Sequence, residues 1–158
     1  MNSYSTYYQV VEKIKNYFAT DQMVSKITYG DISTIDIDKQ NLFPLIHYNI
    51  VKVIPEDQVV RFDFVLFAMD ILDESKDEFG TPNLSFAGND NAIDILNKLY
   101  IVLMSFRNQL NSQIFDYDLY LVDGSEMVME PFVDRFENGL AGFSVQFSIY
   151  VPNEFYAC

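Results

Sequence analysis

The sequence contains no tryptophan, one cysteine and one histidine among its 158 residues. Because Cys158 is the only cysteine, the chain cannot form an intrachain disulfide or a thiolate metal cluster. With His47 as the only histidine, a multi-histidine metal site is also excluded. No stretch approaches the roughly 18 uninterrupted apolar residues of a membrane span, and the N-terminus has no basic region followed by an apolar one. These absences predict a soluble protein made in the cytosol.

Basic residues are scarce relative to acidic ones. The chain has 10 lysines and arginines against 23 aspartates and glutamates, a formal net charge of −13. The imbalance is greatest in residues 108–158, where eight acids accompany a single base, Arg135. A surface this acidic repels phosphates and anionic lipid headgroups. The composition therefore argues against sequence-specific nucleic-acid binding and against attachment to a membrane.

Two segments have the apolar periodicity of amphipathic helices. Residues 4–18 place apolar side chains at helical spacing, with polar and charged side chains on the other faces. A second helix follows Asp90 or Asn91, either of which can cap it. Its apolar stripe must lie on a sheet or against a neighbour. The stripe consists of Ala92, Ile95, Leu96, Leu99, Leu103, Phe106 and Leu110.

The remaining segments are β-prone. Residues 59–72 are apolar on both faces over most of their length, which predicts a long central strand. The three strands after the second helix are expected to form an antiparallel meander, because Asp123-Gly124 and Asn138-Gly139 are strong hairpin signals. The predicted strands are 26–30, 32–37, 45–53, 59–72, 116–122, 125–136 and 140–151.

The order of these elements indicates the fold class. Helix, strands, helix and strands follow one another without an internal repeat or a low-complexity linker, and 158 residues fit one domain. Antiparallel strands with helices on one face are the α+β arrangement. We therefore expect a single α+β domain over residues 1–158, mainly an antiparallel β-sheet with two main helices packed on one side.

Few residues offer catalytic chemistry. His47 alternates with Ile46 and Tyr48 on a predicted strand, so a structural or interface role is expected for it. The chain has neither a Gly-x-Ser-x-Gly elbow nor a phosphate-binding glycine loop. Three groups of carboxylates have spacing that could hold a divalent cation: Asp36/Asp38, Asp116/Asp118, and Asp73/Glu74 with Asp77/Glu78. Close pairs arise by chance among 23 acids, and solvated surface is the preferred interpretation. The sequence thus predicts no enzyme, no catalytic residue, no metal site and no cofactor.

Two segments carry apolar side chains in otherwise polar surroundings. Residues 73–90 mix charges, glycine and proline, and predict a long loop of the kind that usually binds something or moves. Phe79 and Phe86 could anchor an interface or could equally tuck under their own loop. The candidate interface residues in this loop and at the C-terminus are Phe79, Leu84, Phe86, Phe155 and Tyr156.

The layout of the whole chain resembles that of the tail-terminator and tail-completion proteins of tailed bacteriophages. The resemblance rests on an N-terminal helix, the strand VVRFDFVLFAMDIL, a polar loop, the helix DNAIDILNKLYIVLMSFRNQL and the closing strands in EPFVDRFENGLAGFSVQFSIYVPNEFYAC. The resemblance covers nearly the whole chain and rests on the order and general composition of its segments, not on an invariant motif. Residue usage rich in Asn, Ile, Tyr, Lys, Asp and Phe is similar to that of the crAss-like phages of gut Bacteroidales.

This resemblance implies a structural virion protein of the neck or tail, made in the cytoplasm of the bacterial host. About six or twelve identical subunits would form a closed ring by heterologous contacts, next to portal, neck or tail proteins. An acidic inner wall of the ring would repel DNA and let it slide through. Two other classes stay open. A soluble acidic inhibitor that mimics DNA would remain a monomer or dimer, and a small metal-dependent enzyme would have carboxylates that converge in a pocket.

Overall fold

Helices cover one side of a single β-sheet. The helices are α1 (Tyr7–Ala19) and α2 (Ala92–Asn111), and a short 3-10 helix spans Ile32–Thr34. The strands are β1 (Lys26–Tyr29), β2 (Leu45–Pro55), β3 (Val59–Ile71), β4 (Tyr120–Leu121), β5 (Val128–Arg135) and β6 (Leu140–Pro152). The computed structural model describes residues 7–34, 42–72, 92–111, 120–121, 126–135 and 139–153.

The sheet has the order β1, β2, β3, β6, with both β4 and β5 on the outer edge of β6. Neighbouring strands are antiparallel except β1 and β2, which are parallel. A parallel pair needs a long connection, and residues 30–44 supply one here. The predicted fold class, an α+β domain with a mainly antiparallel sheet and two helices on one side, is confirmed.

The main core lies between the helices and the sheet. Alternate residues of β3 and β6 point towards the helices, as the two-residue period of a strand requires. The rings of Phe64 and Phe147 stack at 5.1 Å across these two strands, and Phe106 of α2 meets Phe147 edge-on. Phe18 of α1 lies 4.8 Å from Phe106, so the two helices contact each other as well as the sheet. The predicted stripe of α2 is buried as expected, with Leu96 partly buried.

On the opposite side of the sheet, called the open face below, the described residues that pack against it lie at one end. There Leu45, Met69 and Leu140 form a second, smaller cluster. The connection between β1 and β2 packs on it through Ile32 and Phe43. Packing at this end explains why β3 is apolar on both faces over much of its length, because side chains cover both faces of its C-terminal half.

Two predictions about secondary structure are wrong. Residues 32–34 form a 3-10 helix instead of a strand, because the Asp31 carboxylate accepts a hydrogen bond from the amide of Ser33 at 2.8 Å and turns the chain. The last three strands do not form a meander. β4 pairs with the C-terminal part of β6, whereas β5 pairs with its N-terminal part, so β4 and β5 share one edge of the same strand. Neither of the two described helices combines the length and apolarity needed to cross a membrane.

β6 approaches β3 unusually closely at Gly142. A Cβ atom at this position would lie 1.8 Å from the carbonyl oxygen of Ala68 and 3.0 Å from the Cα of Met69. Only glycine fits this approach of two backbones. The register of β5 against β6 shifts at the same level, between Phe132 and Arg135.

Candidate functional site

Away from that end, the open face contains a hollow of about 370 Å³ lined by described residues. Its floor comes from the central strands β3 and β6, and its sides come from β2 and from the segment that leads into β5. The lining mixes small apolar, polar and charged side chains. It consists of Val51, Lys52, Asp63, Phe64, Val65, Glu126, Val128, Gln146, Phe147 and Ser148.

The polar floor of the hollow ties β3 to β6. Asp63 and Ser148 are cross-strand partners, and the serine hydroxyl donates a hydrogen bond to the Asp63 carboxylate at 2.6 Å. Arg61 Nε lies 3.1 Å from the same carboxylate oxygen, an ion pair across one strand face. The carboxylate therefore has both a donor and a neutralising charge within the protein. This arrangement stabilises the sheet and does not resemble a nucleophile with its general base.

His47 joins β2 to the neighbouring edge strand and its connection. It is buried, with 2% of its surface exposed. Nε2 lies 2.7 Å from the carbonyl oxygen of Gly30 and Nδ1 lies 2.8 Å from the hydroxyl of Thr28. Because a carbonyl can only accept, Nε2 carries the proton and Nδ1 accepts from Thr28. Burial lowers the pKa of His47, against the opposing effects of Gly30 and Asp31, and so favours the neutral ring. These two internal hydrogen bonds fit a structural role; the sequence predicted a structural or an interface role.

Tyrosines fix the N-terminal helix on the sheet. The hydroxyl of Tyr48 donates to the carbonyl oxygen of Val11 in α1 at 2.6 Å, and burial raises the pKa of this tyrosine. The hydroxyls of Tyr7 and Tyr29 are hydrogen-bonded to each other. Burial, followed by this bond to Tyr7, raises the pKa of Tyr29 to about 12. These contacts are structural, and they leave the hollow and the strand edges as the candidate functional surface.

Among the described residues, parts of both outer edges of the sheet have no paired strand. Within the described residues, β2 pairs with β1 only from Leu45 to Tyr48, and the Tyr29 hydroxyl contacts the backbone of Ile50. From residue 51 to residue 55, no described strand pairs with the outer side of β2. β5 forms the opposite edge next to β6. Unpaired edges present backbone donors and acceptors that can template pairing with another chain.

Exposed valines lie along both edges. Val51 and Val53 of β2 are 50% and 42% exposed, and Val128 and Val133 of β5 are 42% and 50% exposed. Large apolar side chains are normally rare on a sheet edge that remains in solvent, because they promote association. Lys52 and Pro55 on β2, and Glu130 and Pro131 on β5, limit how a further strand could pair with these edges. Sequence reasoning missed this surface, although the run Val51, Lys52, Val53, Ile54 before Pro55 was a usable signal.

The candidate interface residues named from the sequence lie outside the described residues, as do the three carboxylate groups. This holds for Phe79, Leu84, Phe86, Phe155 and Tyr156, and for Asp36/Asp38, Asp116/Asp118 and Asp73/Glu74 with Asp77/Glu78. Their predicted roles stay predictions. Within the part of the chain that the structure describes, no three histidine, cysteine or carboxylate side chains cluster as metal ligands do.

Comparison with known proteins adds no relative from which a function could be transferred. No protein-family model matches the sequence, and no curated protein matches it. The functional argument therefore rests on the geometry and charge of this chain.

Proposed function

We propose that this protein is a structural subunit of a tailed bacteriophage, which assembles with identical copies into a ring at the neck or tail junction, around the path of the DNA. The α+β sheet with two helices on one side is the fold that the resemblance to tail-terminator and tail-completion proteins implies. The proposal assigns the protein a mechanical role, in which shape and charge act and no bond is made or broken.

The accessible edges of the sheet carry the proposal. Exposed valines lie on both edges beside the charged side chains of Lys52 and Glu130, and exposed apolar side chains on a strand edge favour association. Because the two edges are at opposite ends of the sheet, they can bind neighbours on both sides. Contacts of this heterologous kind generate rings when the rotation between neighbours closes.

The net charge supports a position around DNA. Each subunit carries a formal charge of −13, so a ring presents a strongly negative surface to the phosphate backbone. Exposed acids of the described part include Glu56, Asp57, Asp94, Glu126 and Glu130. Repulsion of this kind keeps DNA from adhering to the wall, which suits a channel through which DNA slides.

The test is the mass of the purified protein, measured by light scattering together with negative-stain imaging. We expect closed rings of about six or twelve copies, formed by the protein alone or after it is mixed with the products of neighbouring genes. Measurements at low and at moderate salt separate assembly from charge repulsion, because salt screens the like charges of the subunits. A monomer or dimer in every mixture would refute the proposal and favour the DNA-mimicking inhibitor.

A further inference from the structure

A second stripe of side chains runs along α2, on a flank that does not face the core of its own molecule. Its members follow one another at alternating steps of four and three residues, the spacing by which one helix packs against another. This outer stripe consists of Ile93, Asn97, Tyr100, Met104 and Arg107, with Ile101 beside it. Ile93, Tyr100 and Ile101 are 49%, 48% and 45% exposed. Three large apolar side chains on one helix flank form a patch of the kind that marks interaction surfaces.

Contacts within the molecule lie on the other flank of α2. Phe106 contacts the rings of Tyr17 and Phe18 in α1. Burial raises the pKa of Asp70 in β3, and the charge of Lys98 opposes this rise, which places Lys98 near that strand. At 3.6 residues per turn, Phe106 and Lys98 both lie well away from the centre of the outer stripe. Among the described elements, α1 and β3 are therefore on the opposite side of α2 from this stripe.

The charge of α2 allows two copies of this acidic chain to approach each other there. The whole chain has a formal net charge of −13, whereas α2 contains two bases, Lys98 and Arg107, and one acid, Asp94. The outer stripe itself includes no acid. Repulsion between copies is therefore weaker at this helix than at the acidic parts of the surface. An apolar and nearly uncharged stripe fits a second stripe of the same kind.

We propose that α2 packs against α2 of a second copy, antiparallel and about a two-fold axis, through the outer stripe. The inference goes beyond the proposed ring and does not rest on it. In an antiparallel pair with this spacing, Ile93 of one copy lies in the same layer as Met104 of the other, and Asn97 lies in the same layer as Tyr100. The two-fold axis repeats each layer, so both stripes are covered along their length.

Charge favours the antiparallel over the parallel orientation. Asp94 lies in the first turn of α2 and Arg107 near its end. Antiparallel packing brings the Asp94 end of one copy beside the Arg107 end of the other and also opposes the two helix dipoles. Parallel packing would place each of these charges beside its own copy.

The size of the contact indicates a weak pair. From Ile93 to Arg107 the stripe is about 21 Å long, and a helix is about 10 Å wide. This area is well below the roughly 800 Å² that each partner contributes to a standard stable interface. We therefore expect dimers that dissociate on dilution. The two-fold contact would also join two rings face to face and would not link neighbours within one ring, because it reverses the orientation of the second copy.

Cross-linking with engineered cysteines tests the pair directly. In a Cys158→Ser background, Ile93→Cys and Met104→Cys are prepared separately and then mixed. The two positions lie about 16 Å apart along one α2, and an antiparallel pair keeps each position about as far from its own copy. With a thiol cross-linker shorter than this, we expect the mixture to give dimers and each single variant to give monomer. The double variant should also stop at dimer, because a two-fold contact is closed.

The outcomes separate the helix pair from the proposed ring. Dimers from Ile93→Cys alone would indicate a parallel alignment and would overturn the antiparallel pair. A ladder of oligomers from the double variant would indicate a heterologous contact of α2 and would overturn the two-fold axis. Rings in negative-stain images without cross-linking in the mixture would overturn the pair and leave the ring intact. Cross-linked dimers without rings would support the pair and refute the ring.

A charge placed in the outer stripe provides an independent test. Tyr100→Glu should raise the dissociation constant of the dimer by about tenfold or more in light scattering on dilution, because it buries a charge beside its own copy. Ser105→Glu is the matched control, with the same change of charge at an exposed position of α2 away from the stripe, and should pair like the original protein. Circular dichroism checks that both variants are folded. An equal loss in the two variants would attribute the effect to net charge and refute the pairing.

Discussion

Gly142→Ala should be one of the most damaging single-methyl changes in the protein. The added Cβ would lie 1.8 Å from the Ala68 carbonyl oxygen and 2.9 Å from its carbonyl carbon. Both contacts are backbone atoms of the central strand β3, so no side chain can rotate away and the two strands must move apart. Overpacking of a well-ordered core costs typically 1–3 kcal/mol, and we expect about 3 kcal/mol here because the displaced atoms belong to the central strand pair.

This loss is measurable by urea unfolding followed by circular dichroism. For a domain of this size about 3 kcal/mol corresponds to a decrease in Tm of about 6–12 °C. Ser144→Ala, two residues along the same strand on the open face, is the matched control and should change stability by about 0.5 kcal/mol or less. A Gly142→Ala protein within about 0.5 kcal/mol of the original would show that β6 tolerates displacement and would refute the reasoning.

Three further predictions concern the attachment of the helices and the buried titratable groups. Tyr48→Phe should lower the unfolding free energy by about 1 kcal/mol in urea titrations, because it removes the hydroxyl that donates to α1. Phe106→Ala should cost about 3–5 kcal/mol in the same assay, since this buried ring contacts those of Phe18 and Phe147. The depressed pKa of His47 stabilises the fold above the unfolded value of 6.5, and this contribution is lost as the pH falls towards the folded value. Burial raises the pKa of Asp70, so its contribution to stability changes with pH in the opposite direction to that of His47. An Asp70→Asn background removes this contribution. Unfolding free energies measured in that background with and without His47→Asn, at about pH 7.5 and about pH 5.5, isolate the effect of the histidine.

Much of the sheet and both helices could be predicted from the sequence because their apolar residues repeat with a clear period. The stripe of α2 and the alternation of β6 each leave one face that must be buried, which fixes the secondary structure and the side that faces the core. The same reasoning located β3 as a central strand. Local periodicity was sufficient for these elements because the burial of one face determined each of them.

Pairing between strands could not be predicted in the same way. The β-prone residues after Asp31 form a 3-10 helix because a single side-chain hydrogen bond to Ser33 turns the backbone. β4 and β5 both pair with β6, a choice that depends on long-range register and not on the turn sequence between them. The floor of the hollow also depends on long-range register, because Asp63 and Ser148 come together from positions 85 residues apart in the chain. Only the register of the folded sheet brings such residues together.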